Sequence, residues 1–299
     1  MITSTKTRKL FFVGGDLRQI RAINQASSLG NFVSVLGFDA EHSEKLSPNV
    51  QLLWDFSEAE ESYDAVILPL PYSTDGKNIN APLCKRNFPI AEVFDNICKK
   101  NRILAGRCDP KIKTMADSHR IMLVDYLCRE ELAVLNAIPT AEGAIQIAME
   151  ETPFTIHSSK CLVIGNGRIG KILAKMLQGI GARVTVAARK KGDLAFGFSM
   201  GYETVPISDL GETIGEYDII FNTAPSLILD FDLLSKISNK VLIIDLASKP
   251  GGVDFDEARR KGIKVIWALS LPGKVAAETA GDIICKTILN IIDEMEANE

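Results

Sequence analysis

The sequence predicts an α/β protein of two doubly wound parallel-sheet domains. Three observations lead there. The 299 residues suffice for two separate cores. Short unbroken apolar runs, at residues 10–13, 65–68, 161–164, 219–221 and 241–244, read as strands covered on both faces, as parallel sheets require. Between several of these runs a glycine turn opens a stretch with apolar residues at helical spacing, so strand, helix and strand alternate.

Residues 9–13 are the first strand. The turn at residues 14–19 opens a helix with Ile20, Ile23 and Leu29 on its apolar face, and residues 32–38 return as a strand. Gly14 and Gly15 are present but the third glycine of a dinucleotide turn is missing, so no second dinucleotide site is expected here. The helix start can hold an anion, or Asp16 can simply cap it. Residues 65–69 form a later strand running into the polar loop 70–76. Ser73 and Thr74 there are candidate substrate contacts and equally good turn formers. Residues 102–106 are a further strand, ending beside Arg107. Met122, Leu123, Tyr126, Leu127 and Leu132 suggest a helix over 115–136. Pro139 then opens a second helix to about Glu150, with Thr140 and Glu142 placed for capping. This helical pair is expected to join the sheets and line the cleft between them, and Pro153 ends it.

Residues 161–189, CLVIGNGRIGKILAKMLQGIGARVTVAAR, carry the most specific local signal. A strand at 161–164 meets Gly165-Asn166-Gly167-Arg168-Ile169-Gly170, a G-x-G-x-x-G turn. A helix follows with Ile172, Leu173, Met176, Leu177 and Ile180, ended by Gly179 and Gly181, and then a strand at 184–186. In that frame the first glycine makes the turn, the second admits a pyrophosphate and the third lets helix and strand pack. A Rossmann dinucleotide-binding sheet is therefore expected. NAD sites usually place an acid after the second strand. Here Ala188-Arg189-Lys190-Lys191 stands instead, with no carboxylate before Asp193, which favours NADP through bidentate contact of Arg189 with the 2′-phosphate, Lys190 or Lys191 close by. The alternative is a solvated basic loop.

Further strands are expected at 205–206, 218–222, 240–246 and 264–268, and a final helix from about 276. The two domains are expected at 1–135, a flavodoxin-like substrate-side domain, and 136–299, the Rossmann domain, its last helix packing back on the first domain. The net charge of −4 argues against nonspecific nucleic-acid binding. No apolar run reaches membrane length, and the N-terminus lacks the h-region of a signal peptide. Cysteines 84, 98, 108, 128, 161 and 285 form no C-x-x-C pair, which suits reduced thiols in a cytosolic protein. His42, His119 and His157 lack ligand spacing, so no metal site is expected.

GGDLRQ, ILAGRCDP, PTAEGAI, GNGRIG, FNTAP, IDLASKPGG and ALSLPGKVAAETAG together resemble the family of the dipicolinate synthase A subunit over nearly the whole chain. One departure is Val275-Ala276-Ala277 where a proline is expected after LPGK-Val-Ala; alanine serves a helix start nearly as well. The second domain alone also resembles the cofactor domains of alanine and D-2-hydroxyacid dehydrogenases. The family resemblance implies sporulation, the cytoplasm of the mother cell, and a flavoprotein-like partner, the B subunit of dipicolinate synthase. It implies NADP-dependent oxidation of dihydrodipicolinate, formed from a hydroxylated tetrahydrodipicolinate, to dipicolinic acid. A homo-oligomer without nucleic-acid or membrane partners is expected.

A small dicarboxylate substrate calls for cations. Lys274, in the LPGK motif, is the favoured catalytic or carboxylate-binding residue, against a solvated loop charge; Glu142 and Asp125 are the acid/base alternatives. Gly15, Asp16, Arg18, Ser73, Thr74, Thr140 and Lys249 are candidate substrate contacts, with Arg107 facing the same cleft. Asn222, Thr223, Ala224, Pro225, Leu246 and Ala247 join the glycine turn around the cofactor. Two other readings stay open: an NADP-dependent amino or hydroxy acid dehydrogenase, and a non-catalytic NADPH-binding component that works through a partner. The first normally needs a histidine at the strand ends of the second domain, and only His157, before the Rossmann strand, is present.

Overall fold

Burial separates the strands into inner and edge positions, and that separation fixes two sheets of six. The computed structural model describes residues 6–97 and 102–298, so Cys98 and the first five residues lie outside them. The chain divides into unit 1, Met1–Ala133 with Ala277–Glu299, and unit 2, Val134–Ala276.

Unit 1 holds β1 (Lys9–Val13), β2 (Phe32–Leu36), β3 (Val50–Leu53), β4 (Ala65–Ile67), β5 (Arg102–Ala105) and β6 (Met122–Asp125). They lie in the order β3-β2-β1-β4-β5-β6, each pair parallel. A flavodoxin-like sheet would read 2-1-3-4-5; β3, outside β2, corrects that expectation. The apolar runs of β1 and β4 are buried on both faces, whereas the edge strands β3 and β6 are half-exposed. The connecting helices are α1 (Leu17–Ser28), α2 (Ala40–Ser43), α3 (Ile90–Asn96) and α4 (Pro110–His119). The stretch read as one helix over 115–136 is instead the end of α4, then β6, then a single 3₁₀ turn at Tyr126–Cys128. Arg120 ends α4 in the left-handed region (φ 56°), its N–H bonded back to Ala116 and Asp117. A glycine usually marks such a stop, and without one the sequence hid it.

α5 (Glu130–Glu151) opens at Glu130 in the last residues of unit 1, enters unit 2 at Val134 and runs straight through Pro139, so Pro139 starts no second helix. Proline withholds one helical hydrogen bond; the Thr140 hydroxyl donates back to the Asn136 carbonyl rather than capping a helix start. α5 is long and apolar enough, by length and composition alone, to cross a membrane, although it holds no unbroken apolar run of that length. Only 44% of its apolar window is buried in the fold, with Ala141, Ala144, Ile145 and Ala148 in the core of the unit. Then come β7 (Lys160–Ile164), α6 (Arg168–Ile180), β8 (Arg183–Ala188), α7 (Lys191–Ser199), β9 (Glu203–Pro206), α8 (Leu210–Thr213), β10 (Ile219–Asn222), α9 (Phe231–Leu234), β11 (Leu242–Asp245), α10 (Phe255–Arg260), β12 (Lys264–Trp267) and α11 (Leu271–Val275). The order β12-β11-β10-β7-β8-β9 is all parallel and reverses at β7/β10. Ligands of open α/β sheets bind at that switch point, outside the carboxyl ends of the strands.

The chain returns to unit 1 as α12 (Ala277–Ala297). α12 buries Ile283, Ile284, Ile288, Leu289, Ile291 and Ile292, at roughly 1.5–3 kcal/mol each. It crosses α1 so closely that a Cβ on Gly281 would stand 2.5 Å from the Arg18 carbonyl oxygen. Arg21 meets Asp282 through two bonds of 2.7 and 3.0 Å, and the buried Arg8 pairs with Asp293 and Glu296. Burial pushes the thiols of Cys161 and Cys285 up to about 11 and about 12, whereas Cys128 is exposed.

Candidate functional site

The register of unit 2 brings its loops to one level. Ile164 pairs with both Ala187 and Asn222, and Asn222 pairs with Asp245. Residues after β7, β8 and β10 line one cleft of about 400 Å³, which Leu246 and Ala247 after β11 do not line. Of the expected cofactor residues, Gly165, Asn166, Gly167, Ala188, Arg189, Lys190, Thr223, Ala224 and Pro225 line it together.

The three turn glycines do three different jobs. Gly165 has φ +98°, and a Cβ there would strike the Thr223 hydroxyl at 2.5 Å. A Cβ on Gly170 would stand 2.1 Å from the Gly165 carbonyl oxygen. Gly167 has ordinary extended backbone (φ −82°, ψ −161°), and a Cβ there would meet nothing within 4 Å. Nothing internal to the fold demands glycine at 167, and the space beyond it is open. Gly167 starts α6 with no side-chain cap, and the first turn, Arg168 and Ile169 included, has no acid to meet the positive end of the helix dipole.

Unit 1 repeats the topology but not the open turn. Asp16 accepts from the Arg18 N–H at the start of α1 and pairs with the Arg18 guanidinium at 2.7 Å. Gln19 stands where the third turn glycine would be, its side chain laid against Gly15, 2.3 Å from a Cβ built there. A carboxylate thus already meets this helix dipole, which corrects the expectation of an anion site and favours the capping reading.

The basic end of β8 holds a finding the sequence spacing concealed. α7 starts at Lys191, so Asp193 in its first turn comes back to the cleft beside Arg189 and Lys190, while Lys191 is not among the lining residues. Asn166 donates its Nδ2 to the Asp193 carbonyl at 2.9 Å. Its Oδ1 is buried and has no partner, an acceptor aimed at no protein donor. Ile207 and Ile228 add apolar walls that the sequence reading did not single out.

Asn222 and Asp245, both fully buried, build the neighbouring loops. Asn222 Nδ2 donates to Asp245 Oδ1 at 2.8 Å and to the Ala224 carbonyl at 3.1 Å, and its Oδ1 accepts from the Ala224 N–H. Asp245 also accepts from the Ala247 and Gly252 N–H groups, at 3.0 and 2.9 Å. A Cβ on Gly252 would stand 2.2 Å from Asn222 Nδ2. The IDLASKPGG motif is therefore first a device for folding residues 246–252 over a buried carboxylate. The amide of Asn222 is spent on this network, so it shapes the cleft through Ala224 and not by contact. Leu246 and Ala247 are buried in the same loop, and Ala247 accepts from Trp267 Nε1.

The remaining candidates separate by what already engages them. Asp125 accepts from the N–H groups of Arg107, Cys108 and Leu127, so its carboxylate is committed to turn geometry. Ser73 and Asp75 close a tight turn, with Ser73 accepting from Gly76 and Asp75 from Lys77 and Asn78; Thr74 is exposed beside them. Arg18 also donates to the Leu70 carbonyl. Glu142 faces an apolar groove between α5 and α6 that shares no lining residue with the cofactor cleft. Lys249 and Lys274 are exposed, and neither has a hydrogen bond or ion pair among the described residues. His157 precedes β7 and bonds Ser158, at the opposite end of the strands from the cleft. Among the described residues no group of three His, Cys, Asp or Glu side chains is arranged to hold a metal ion.

Comparisons with known proteins agree in both halves. Residues 9–127 match the N-terminal domain of the dipicolinate synthase A subunit, whereas residues 146–266 match shikimate/quinate 5-dehydrogenase. The A subunit of dipicolinate synthase from Bacillus subtilis (strain 168) is 33% identical over 97% of this chain and 98% of its own. The solved dipicolinate synthase A chain from Bacillus subtilis superposes with a TM-score of 0.89, 32% identity and 98% of both chains covered. The corresponding structure from Bacillus halodurans gives 0.88 and 30%, over 95% of this chain and 97% of that one. A transhydrogenase from Sinorhizobium meliloti, 16% identical with a TM-score of 0.70 over 96% of this chain and 94% of its own, shares the fold.

Proposed function

The chain belongs to the family of the dipicolinate synthase A subunit, and on that premise we propose that it is the NADP-dependent component that oxidises dihydrodipicolinate to dipicolinic acid. The observation that carries the reading is the open cradle at Gly167, over an uncapped helix start and beside Arg189 and Lys190. A pyrophosphate fits the first feature, and a 2′-phosphate fits the basic pair. The orphaned Asn166 Oδ1 supplies an acceptor for a ribose hydroxyl in the same cleft.

When bound, NADP+ supplies a hydride acceptor at the nicotinamide. The dihydropyridine substrate loses one hydride and one proton and becomes aromatic, so ring and cofactor contribute much of the driving force. The protein's task is to hold the two in register. We assign carboxylate recognition to Lys274, with Lys249 as the second cation, because both ammonium groups are exposed and uncommitted. The proton released on aromatisation goes to solvent water, since both lysines act as ammonium ions, Asp125 is committed to backbone and Glu142 faces elsewhere. On this reading the reaction belongs to the sporulating mother cell, where the flavoprotein-like B subunit is the partner. The test is turnover of the substrate by the wild type and by Lys274→Met, alone and with the B subunit. Loss of turnover with unchanged NADP affinity is expected. Full activity, or a parallel loss of NADP binding, would remove Lys274 from this role.

A further inference from the structure

We propose that the outer face of α6 is the contact surface between two copies of this chain, related by a two-fold axis running along that helix. The surface lies wholly within unit 2 and does not depend on which cofactor the cleft binds. α6 carries Ile172, Met176 and Ile180 one turn apart along one flank, half-buried against the core of the unit. On one flank Ile145 and Met149 of α5 complete a groove of about 610 Å³. On the other, Phe196 and Met200 of α7 complete a second of about 530 Å³, and Met176 lines both. Met149 is 53% exposed, Phe196 40% and Met200 39%. Apolar grooves edged by charge are a common mark of an interaction site.

The charges on its two borders select the occupant. The α5 side is acidic, with Glu142 and Glu150; the side towards α7 is basic, with Lys171 and Lys175 of α6 itself. Glu150 meets only the neutral Gln146, and Lys171 lies over the Phe196 ring at 4.5 Å. Glu142 and Lys175 have no ion-pair partner among the described residues. A surface acidic on one side and basic on the other complements itself. A two-fold axis along α6 turns the partner's acidic border onto this copy's basic border and the reverse, while the apolar strips face each other. A partner of single-sign charge would be repelled by one border. Gly179, exposed on the same helix with open space beyond its Cβ, leaves room for close approach.

The test is sedimentation of the full-length chain against concentration. The wild type is expected to dimerise. Reversing the basic border (Lys171→Glu with Lys175→Glu) or the acidic border (Glu142→Lys with Glu150→Lys) should each raise the dimer dissociation constant by about tenfold or more, because like charges then face each other. All four changes together should restore dimerisation to within a few-fold of wild type. These positions are exposed, and each variant's thermal melt checks that it folds. A monomeric wild type would overturn the proposal, as would a dimer indifferent to either reversal. So would a monomer whose border reversal abolishes binding of the dipicolinate synthase B subunit, which would give the strip to that partner.

Discussion

Replacing Gly167 by valine separates the two reasons a glycine can stand in the turn. The backbone there is extended, which suits a β-branched residue, and a Cβ meets nothing within 4 Å. The fold should lose only the difference between glycine and valine at a helix N-cap, under about 1 kcal/mol, a melting shift of a few degrees at most for a unit of this size. Cofactor binding should fail. The side chain fills the space over the start of α6 and displaces the pyrophosphate from the backbone N–H groups. Losing two hydrogen bonds to a charged group, at about 1.5–3 kcal/mol each, weakens binding by roughly 3–6 kcal/mol, on the order of a hundredfold to ten-thousandfold. Gly170→Ala is the control with the opposite signature. Its Cβ would stand 2.1 Å from the Gly165 carbonyl oxygen, so the backbone must move and stability falls by roughly 1–3 kcal/mol. Calorimetric titration with NADPH and thermal melting read both quantities. A folded Gly167→Val variant that binds NADPH as the wild type does would refute the cradle.

Two further outcomes follow from the same cleft. Arg189→Ala should cost roughly 1.5–3 kcal/mol in NADP(H) affinity, the worth of a charged phosphate contact, and leave NAD(H) little changed; equal affinities of the wild type for the two cofactors would contradict the assignment. Asp245→Ala leaves the Asn222 amide and the Ala247 and Gly252 N–H groups without their acceptor, so stability should fall by roughly 3 kcal/mol or more; an unchanged denaturation midpoint would show that the loop holds without the carboxylate.

What was legible in the sequence was whatever local chemistry decides. The glycine turn of unit 2 could be read because each glycine answers a constraint within a few residues of itself, and the inner strands because both faces are buried. The misreadings sit where distant packing outweighs a local cue. Val50-Gln51-Leu52-Leu53 is short, polar at one position and half-exposed at the edge of its sheet, so it carries neither alternation nor a long apolar run. Residues 122–127 imitate helical spacing, but Arg120 ends the helix without a glycine to announce it. Pro139 has the form of a helix start, and the packing of α5 carries the helix through it. Asp193 lies beyond Gly192 in sequence yet lines the cleft, because α7 begins between Arg189 and Asp193. Asn222 and Asp245 are 23 residues apart and meet only across two strands, so their motifs read as ligand loops when their first task is to hold each other.

The central claim is that this chain passes a hydride from the dihydropyridine to NADP+. Its most direct test is stoichiometric: supply the purified protein with dihydrodipicolinate and NADP+, with and without the B subunit, then quantify dipicolinate and NADPH together. The account predicts one NADPH for each dipicolinate formed, abolished in Gly167→Val. Dipicolinate accumulating without NADPH, or at an unchanged rate in that variant, would contradict it.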